Sequence, residues 1–137
     1  MNIKPGTTYA QVKKSAERSK WEDYFIFHLK VAKLPIPKQQ FKFAEHIGRR
    51  WQVDFAWPDL KLFVEIEGGI WRKNKFGNWA GAHTHPTAVL RDIEKYNHMA
   101  LLGYRLFRFS DKDLRDGSAI EMMKKVFSPQ ISGGIGG

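Results

Sequence analysis

The sequence predicts a mixed α/β fold, a sheet flanked by helices, and three observations predict it. Apolar residues recur near helical period in two long segments, one before Pro35 and one after His85-Pro86. Short runs that alternate with period two, RRWQVDFAW, KLFVEIE and YRLFRF, lie between and after them. Pro and Gly then mark the borders, at Pro35, Pro37, Pro58, Gly68-Gly69, Gly103 and Gly117. The order is helix, two or three strands, helix, strand, helix. The chain has 137 residues, which suits a single domain over 1–137.

Residues 1–18 are polar and basic and read as an N-terminal arm, partly helical from Tyr9. The first strong helix starts at about Ser19, where Ser19-x-x-Glu22 has capping-box spacing. Trp21, Phe25, Leu29 and Ala32 form its apolar stripe, and Pro35 and Pro37 end it. Residues 39–57 read as extended, followed by a turn at Pro58-Asp59-Leu60 and a strand KLFVEIE. Residues 70–84 form a long loop rich in Gly, aromatics and positive charge. Pro86 suits the first position of the second helix, with Val89, Ile93, Tyr96 and Ala100 as its apolar stripe and Gly103 as its C-terminal cap. A last helix starts at Gly117 with a second capping-box pattern, Ser118-x-x-Glu121, and runs through Met122, Val126 and Phe127. Residues 128–137 form a flexible Gly-rich tail.

Composition narrows the function. The net charge is +9 and the aromatic content 14%, so a folded domain with affinity for polyanions is expected, and nucleic acid comes first. The chain has no Cys, which excludes disulfides, thiolate zinc sites and cysteine nucleophiles. A cytoplasmic location is expected. No apolar run approaches the roughly 18 residues of a membrane span, and the first ten residues lack a signal-type stretch, so no membrane partner is expected.

The carboxylates carry the chemistry. Asp54 interrupts a strand in which Trp51, Val53, Phe55 and Trp57 share one face and Gln52, Asp54 and Ala56 the other. On the next strand Lys61, Phe63, Glu65 and Glu67 lie opposite Leu62, Val64 and Ile66. A two-residue loop at Asp59-Leu60, or a four-residue loop from Pro58 to Lys61, sets Asp54 directly across from Glu65; only an odd loop would separate them by face. Opposed β-carbons lie roughly 4.5–5.5 Å apart, where like charges repel. Asp54, Glu65 and Glu67 crowded at a sheet end need a compensating cation, and Mg2+ or Mn2+ fits oxygen ligands. The competing reading is a solvated polar face of an amphipathic sheet.

In series with Glu22 on the first helix and the segment GAHTHPTAVLRDIEKYNHMALLGYRLFRF from Gly81 to Phe109, these residues resemble the PD-(D/E)XK nuclease superfamily. They are similar to the branch that includes very-short-patch repair endonucleases and some homing endonucleases, with a Glu, an Asp, a variable position, a His and an Asp in order. Here the series is Glu22, Asp54, a position near Glu65–Glu67, His83 or His85, and Asp92, and the resemblance covers roughly residues 19–112. It implies an αβββαβ restriction-endonuclease-like core, a divalent metal and hydrolysis of DNA phosphodiesters, with Asp54 and Glu65 at the metal-ligand positions. Glu67 departs from the common pattern, which has Lys there. Lys61 is roughly 13 Å from Glu65 along the strand, too far to replace it. Lys95 is better placed: His85, Asp92 and Lys95 share one helix face. An ordinary Asp92–Lys95 surface pair is the bland alternative for Lys95, and the capping box is the alternative to a catalytic role for Glu22.

For DNA contacts the candidates are Arg49 and Arg50 before the Asp54 strand, Trp71, Arg72, Lys73 and Lys75 on the long loop, and Arg108 on the last strand. The expected activity is that of a metal-dependent DNA endonuclease in repair, recombination or a homing-type role. A non-catalytic DNA-binding protein on a decayed nuclease fold is the alternative, and an RNA-acting nuclease a third reading. A chain this short offers little surface for a long target, so a homodimer or higher oligomer goes with a homing-type role.

Overall fold

A computed structural model of the chain describes Gly6, residues 9–67 and residues 86–129, with residues 9–18 and Ala88 described by backbone alone. Helix α1 spans Tyr9–Val31 and is followed by β1 (Lys38–Lys42), β2 (Gln52–Trp57) and β3 (Leu62–Glu67). Helix α2 spans Pro86–Leu101, then come β4 (Arg105–Ser110), α3 (Asp111–Arg115) and α4 (Ser118–Phe127). The sheet order is β1-β2-β3-β4, antiparallel except for β4, which runs parallel to β3. A parallel pair needs a crossover, and α2 lies in it.

The sheet is covered on both sides. On one side Phe25 and Leu29 of α1, Leu114 of α3 and Ala119 and Met123 of α4 pack on Phe55, Leu62, Val64, Ile66 and Phe109. On the other, Met99 of α2 packs in a cluster with Phe43, Val53, Ala56 and Phe63. Phe25, Phe55 and Phe63 are fully buried; burial of such a side chain contributes about 1.5–3 kcal/mol each. The expected mixed sheet flanked by helices is therefore what the chain forms. Among the described residues, no helix is long and apolar enough to cross a membrane.

The hairpin register is the one that an even loop dictates. The connection is a four-residue loop, with a 3-10 turn over Pro58–Leu60 and Lys61 in the left-handed region at φ 53°. It pairs Phe55 with Val64, Ala56 with Phe63 and Trp57 with Leu62. Gly103 ends α2 as expected: it takes φ 84°, and the Tyr104 N–H reaches back to the Met99 carbonyl.

Several expectations are corrected. Helix α1 starts at Tyr9, so Ser19 and Glu22 are interior and form no capping box; residues 9–31 contain no Gly or Pro, and nothing halts the helix before the arm. Trp51 and Val53 do not share a cluster with Phe55 and Trp57: the former pack with the α2-side cluster and the latter with the α1-side one. The alternation breaks at Asp54, opposite Gln40, whose φ of 49° lies outside the strand region. In α2 the stripe is rotated. Val89, Ile93 and Ala100 are exposed, while Asp92, Lys95, Tyr96 and Met99 turn to the sheet. At the C-terminal end the capping box belongs to Ser110 and Asp113 at the start of α3, a helix too short for periodicity to reveal. Gly117 caps α4 without a side chain, and Met123 is its buried methionine while Met122 is exposed.

Candidate active site

Asp54 stands where β2 and β3 part. The β2–β3 register ends at Phe55 and Val64, and the next residues along the two strands are Asp54 and Glu65. There Asp54 Oδ2 accepts a hydrogen bond of 2.8 Å from the Ile66 N–H, a side chain taking the place of a main-chain rung. The switch of Val53 to the other cluster opens this fork. The register thus brings Asp54 and Glu65 to the same end of the hairpin, one step beyond its last pair.

Glu65 is 7% exposed, under α2. That removes the solvated-face reading, since a buried carboxylate needs charged or hydrogen-bonding partners. It has both. Lys95 Nζ donates to Oε2 at 2.9 Å, and the Tyr96 hydroxyl donates to Oε1 at 2.6 Å. Helix α2 delivers these two side chains because Met99, one turn later, is anchored in the sheet cluster. Burial, and then the hydrogen bond to Glu65, push the Tyr96 phenol well above its ordinary range, so it remains a neutral donor. The bland Asp92–Lys95 surface pair does not describe Lys95, whose side chain is only 16% exposed and whose ammonium is held by Glu65. Asp92 is half-buried on the same side of α2.

Glu67 is committed elsewhere. Its Oε1 accepts from Arg108 at 2.6 Å, and the Arg108 guanidinium lies over the Tyr96 ring, 5.3 Å from its centroid. Arg108 is the parallel-register neighbour of Glu65. Lys95, Glu65, Tyr96, Arg108 and Glu67 form one chain of contacts. The acids are offset by the protein's own Lys95 and Arg108, so the crowding that called for a cation is partly relieved without one.

Glu22 is 8% exposed and reaches the same end of the sheet. Gln40 Nε2 donates to Glu22 Oε1 at 2.5 Å, and Gln52 Nε2 donates to Gln40 Oε1 at 2.9 Å. Gln40 falls between the Gln39–Phe55 and Phe41–Val53 pairs, opposite Asp54. Its left-handed backbone costs about 1–2 kcal/mol, a strain located beside the candidate site. Nothing in the sequence signalled Gln40. Tyr96 was visible only as a member of an apolar stripe; its adjacency to Lys95 was the available signal.

Arg49 donates to Glu94 and lies over the Trp51 ring, whose centroid is 5.4 Å from that of His98. Arg50 is exposed. Lys61 is turned to the Leu102 carbonyl and the Tyr104 ring, away from Glu65. His83, His85, Trp71, Arg72, Lys73 and Lys75 lie outside the described residues.

Among the described residues, no three His, Asp or Glu side chains are arranged to hold a metal ion. Glu67, expected as a third ligand beside Asp54 and Glu65, is paired with Arg108. Two carboxylates still fit a hard cation, because Mg2+ is commonly bound through one or two carboxylates, with water and substrate phosphate filling the octahedron. A carboxylate offers about four lone-pair positions, and Lys95 and Tyr96 take two of those on Glu65.

No family model matches the chain, and no solved structure matches it. Two uncharacterized proteins of Mycobacterium tuberculosis, from different strains, are each 33% identical to it over 82 residues, 60% of this chain. The chain spans about a quarter (26%) of the length of these curated relatives.

Proposed function

We propose that this domain is a nuclease of the PD-(D/E)XK kind, on a restriction-endonuclease-like core, that hydrolyses DNA phosphodiesters with Mg2+ or Mn2+. The observation that carries the reading is the Lys95 ammonium, 2.9 Å from Glu65 beside the Asp54 fork. Two opposed carboxylates and a partly buried ammonium supply the metal-binding and charge-stabilising groups that the strand motif needs, with the lysine coming from α2 instead of position 67.

In this reading Asp54 and Glu65 hold the cation, which supplies Lewis-acid stabilisation of charge on the phosphoryl oxygens. Lys95 faces the same oxygens, where a fixed ammonium favours the transition state over the ground state. Arg108 and the exposed Arg50 contact phosphates, and the +9 charge draws the duplex in. A cytoplasmic location and a repair, recombination or homing-type role go with this reading, as does a dimer for a long target. One observation favours a second reading, DNA binding without cleavage: Glu67 stands where the lysine would, and both Glu65 oxygens are already bonded.

The test is incubation of the full chain with supercoiled plasmid, branched DNA and RNA, with Mg2+, Mn2+ or EDTA, followed by strand-break analysis. Metal-dependent breaks in DNA, absent from Asp54→Asn, are expected. DNA binding without breaks supports the second reading, breaks in RNA alone redefine the substrate, and full cleavage by Asp54→Asn removes the metal-nuclease reading.

A further inference from the structure

A carboxylate that is to hold a cation needs its plane fixed, since rotation about the last side-chain bond moves both oxygens. Glu65 is long, and Lys95 alone pins only Oε2, on a flexible stem. Tyr96 pins the other oxygen. Its hydroxyl donates to Oε1 at 2.6 Å, and its ring is held in place on α2, half-buried, beneath the Arg108 guanidinium.

We propose that Tyr96 is a positioning residue: its phenol, acting with Lys95, fixes the Glu65 carboxylate toward the Asp54 fork so that the pair can take a divalent cation. This rests on the metal-nuclease reading and adds a residue to it. The same ring has a second neighbour. Arg108 lies over it while pairing with Glu67, so the third carboxylate has a cationic partner of its own. The hold on Glu65 is the direct one, through the hydroxyl. A phenol does this where a second lysine would not, because it donates a hydrogen bond without adding charge that would compete with the cation. Partners that orient a ligand in this way typically contribute 10–100-fold to metal affinity.

The experiment titrates metal-free full-length protein with Mn2+, reading free Mn2+ by electron paramagnetic resonance, with and without a short DNA duplex. Tyr96→Phe removes one oxygen and keeps the ring. Its expected result is Mn2+ affinity about tenfold weaker than wild type, with duplex affinity unchanged and a thermal midpoint close to wild type. Wild-type Mn2+ affinity in Tyr96→Phe overturns the inference and leaves the metal reading standing, as does a lowered thermal midpoint with unchanged Mn2+ affinity. Absence of Mn2+ uptake by the wild type in both conditions ends the metal reading, and this inference with it. A measurement on the unaltered chain covers a variant that does not fold. With tyrosine labelled at 13Cζ, Mg2+ is expected to shift one of the four tyrosine resonances; four unmoved resonances overturn the proposal.

Discussion

The Lys95 ammonium of α2 meets the Glu65 carboxylate of β3 at 2.9 Å across 30 residues of chain. In the proposed nuclease reading a strand lysine would have stood at position 67, where the chain has Glu, and Lys95 takes its place. Lys95→Ala is expected to lower the single-turnover DNA cleavage rate by orders of magnitude with little change in duplex affinity, and Lys95→Arg to restore it only in part. It also strands a buried carboxylate, a loss of about 3 kcal/mol by urea denaturation. Near-wild-type cleavage in Lys95→Ala would end the catalytic assignment.

Glu67 restrains Arg108 through a 2.6 Å ion pair. Glu67→Gln weakens that hold and, in the proposed reading, removes a negative charge beside the Arg108 phosphate contact. Tighter duplex binding is expected, with a log K against log salt slope steeper by about 0.9, the equivalent of one more phosphate contact. An unchanged slope in binding titrations at several salt concentrations means that Arg108 does not reach the backbone.

Asp54 has a structural part separable from its charge, the bond its Oδ2 accepts from Ile66 N–H. Asp54→Asn retains an acceptor and is expected to keep wild-type stability while losing Mn2+ binding. Asp54→Ala loses both and leaves a donor without its partner, a cost of about 1–3 kcal/mol. Equal urea midpoints for the two variants would show that the fork does not depend on this bond.

Asp116 predicts an acid dependence at the α3–α4 junction. Hydrogen bonds from the Ser118 side chain and backbone, then Lys112, hold its carboxyl down from the usual 3.8 to about 2. A depressed carboxyl contributes stability that is fully present above its unfolded value and is lost as pH falls through its folded value. The stability advantage of wild type over Asp116→Ala is therefore constant above about pH 4 and shrinks toward pH 2. Urea midpoints across that range check it; an advantage that persists at pH 2 contradicts the assignment.

Local chemistry was enough for the hairpin. Strand alternation, Pro58 and an even loop predicted the hairpin register that pairs Phe55 with Val64, because the loop length sets register. Pro86 and Gly103 likewise bounded α2, since missing N–H groups and positive φ act within a turn. The sequence alone also carried the mixed sheet, through the switch between the two periods. What it did not decide was which face of α2 turns inward. Val89, Ile93 and Ala100 favoured a different stripe around Tyr96, and only the buried Glu65 and the sheet cluster under Met99 select the one that bears Lys95 beside Tyr96. The pairing of Glu67 with Arg108, the Gln40 contact to Glu22 and the break of alternation at Asp54 are tertiary for the same reason. Each depends on where a distant strand or helix lies, and side-chain order along the chain does not encode the rotation and offset at which two elements pack.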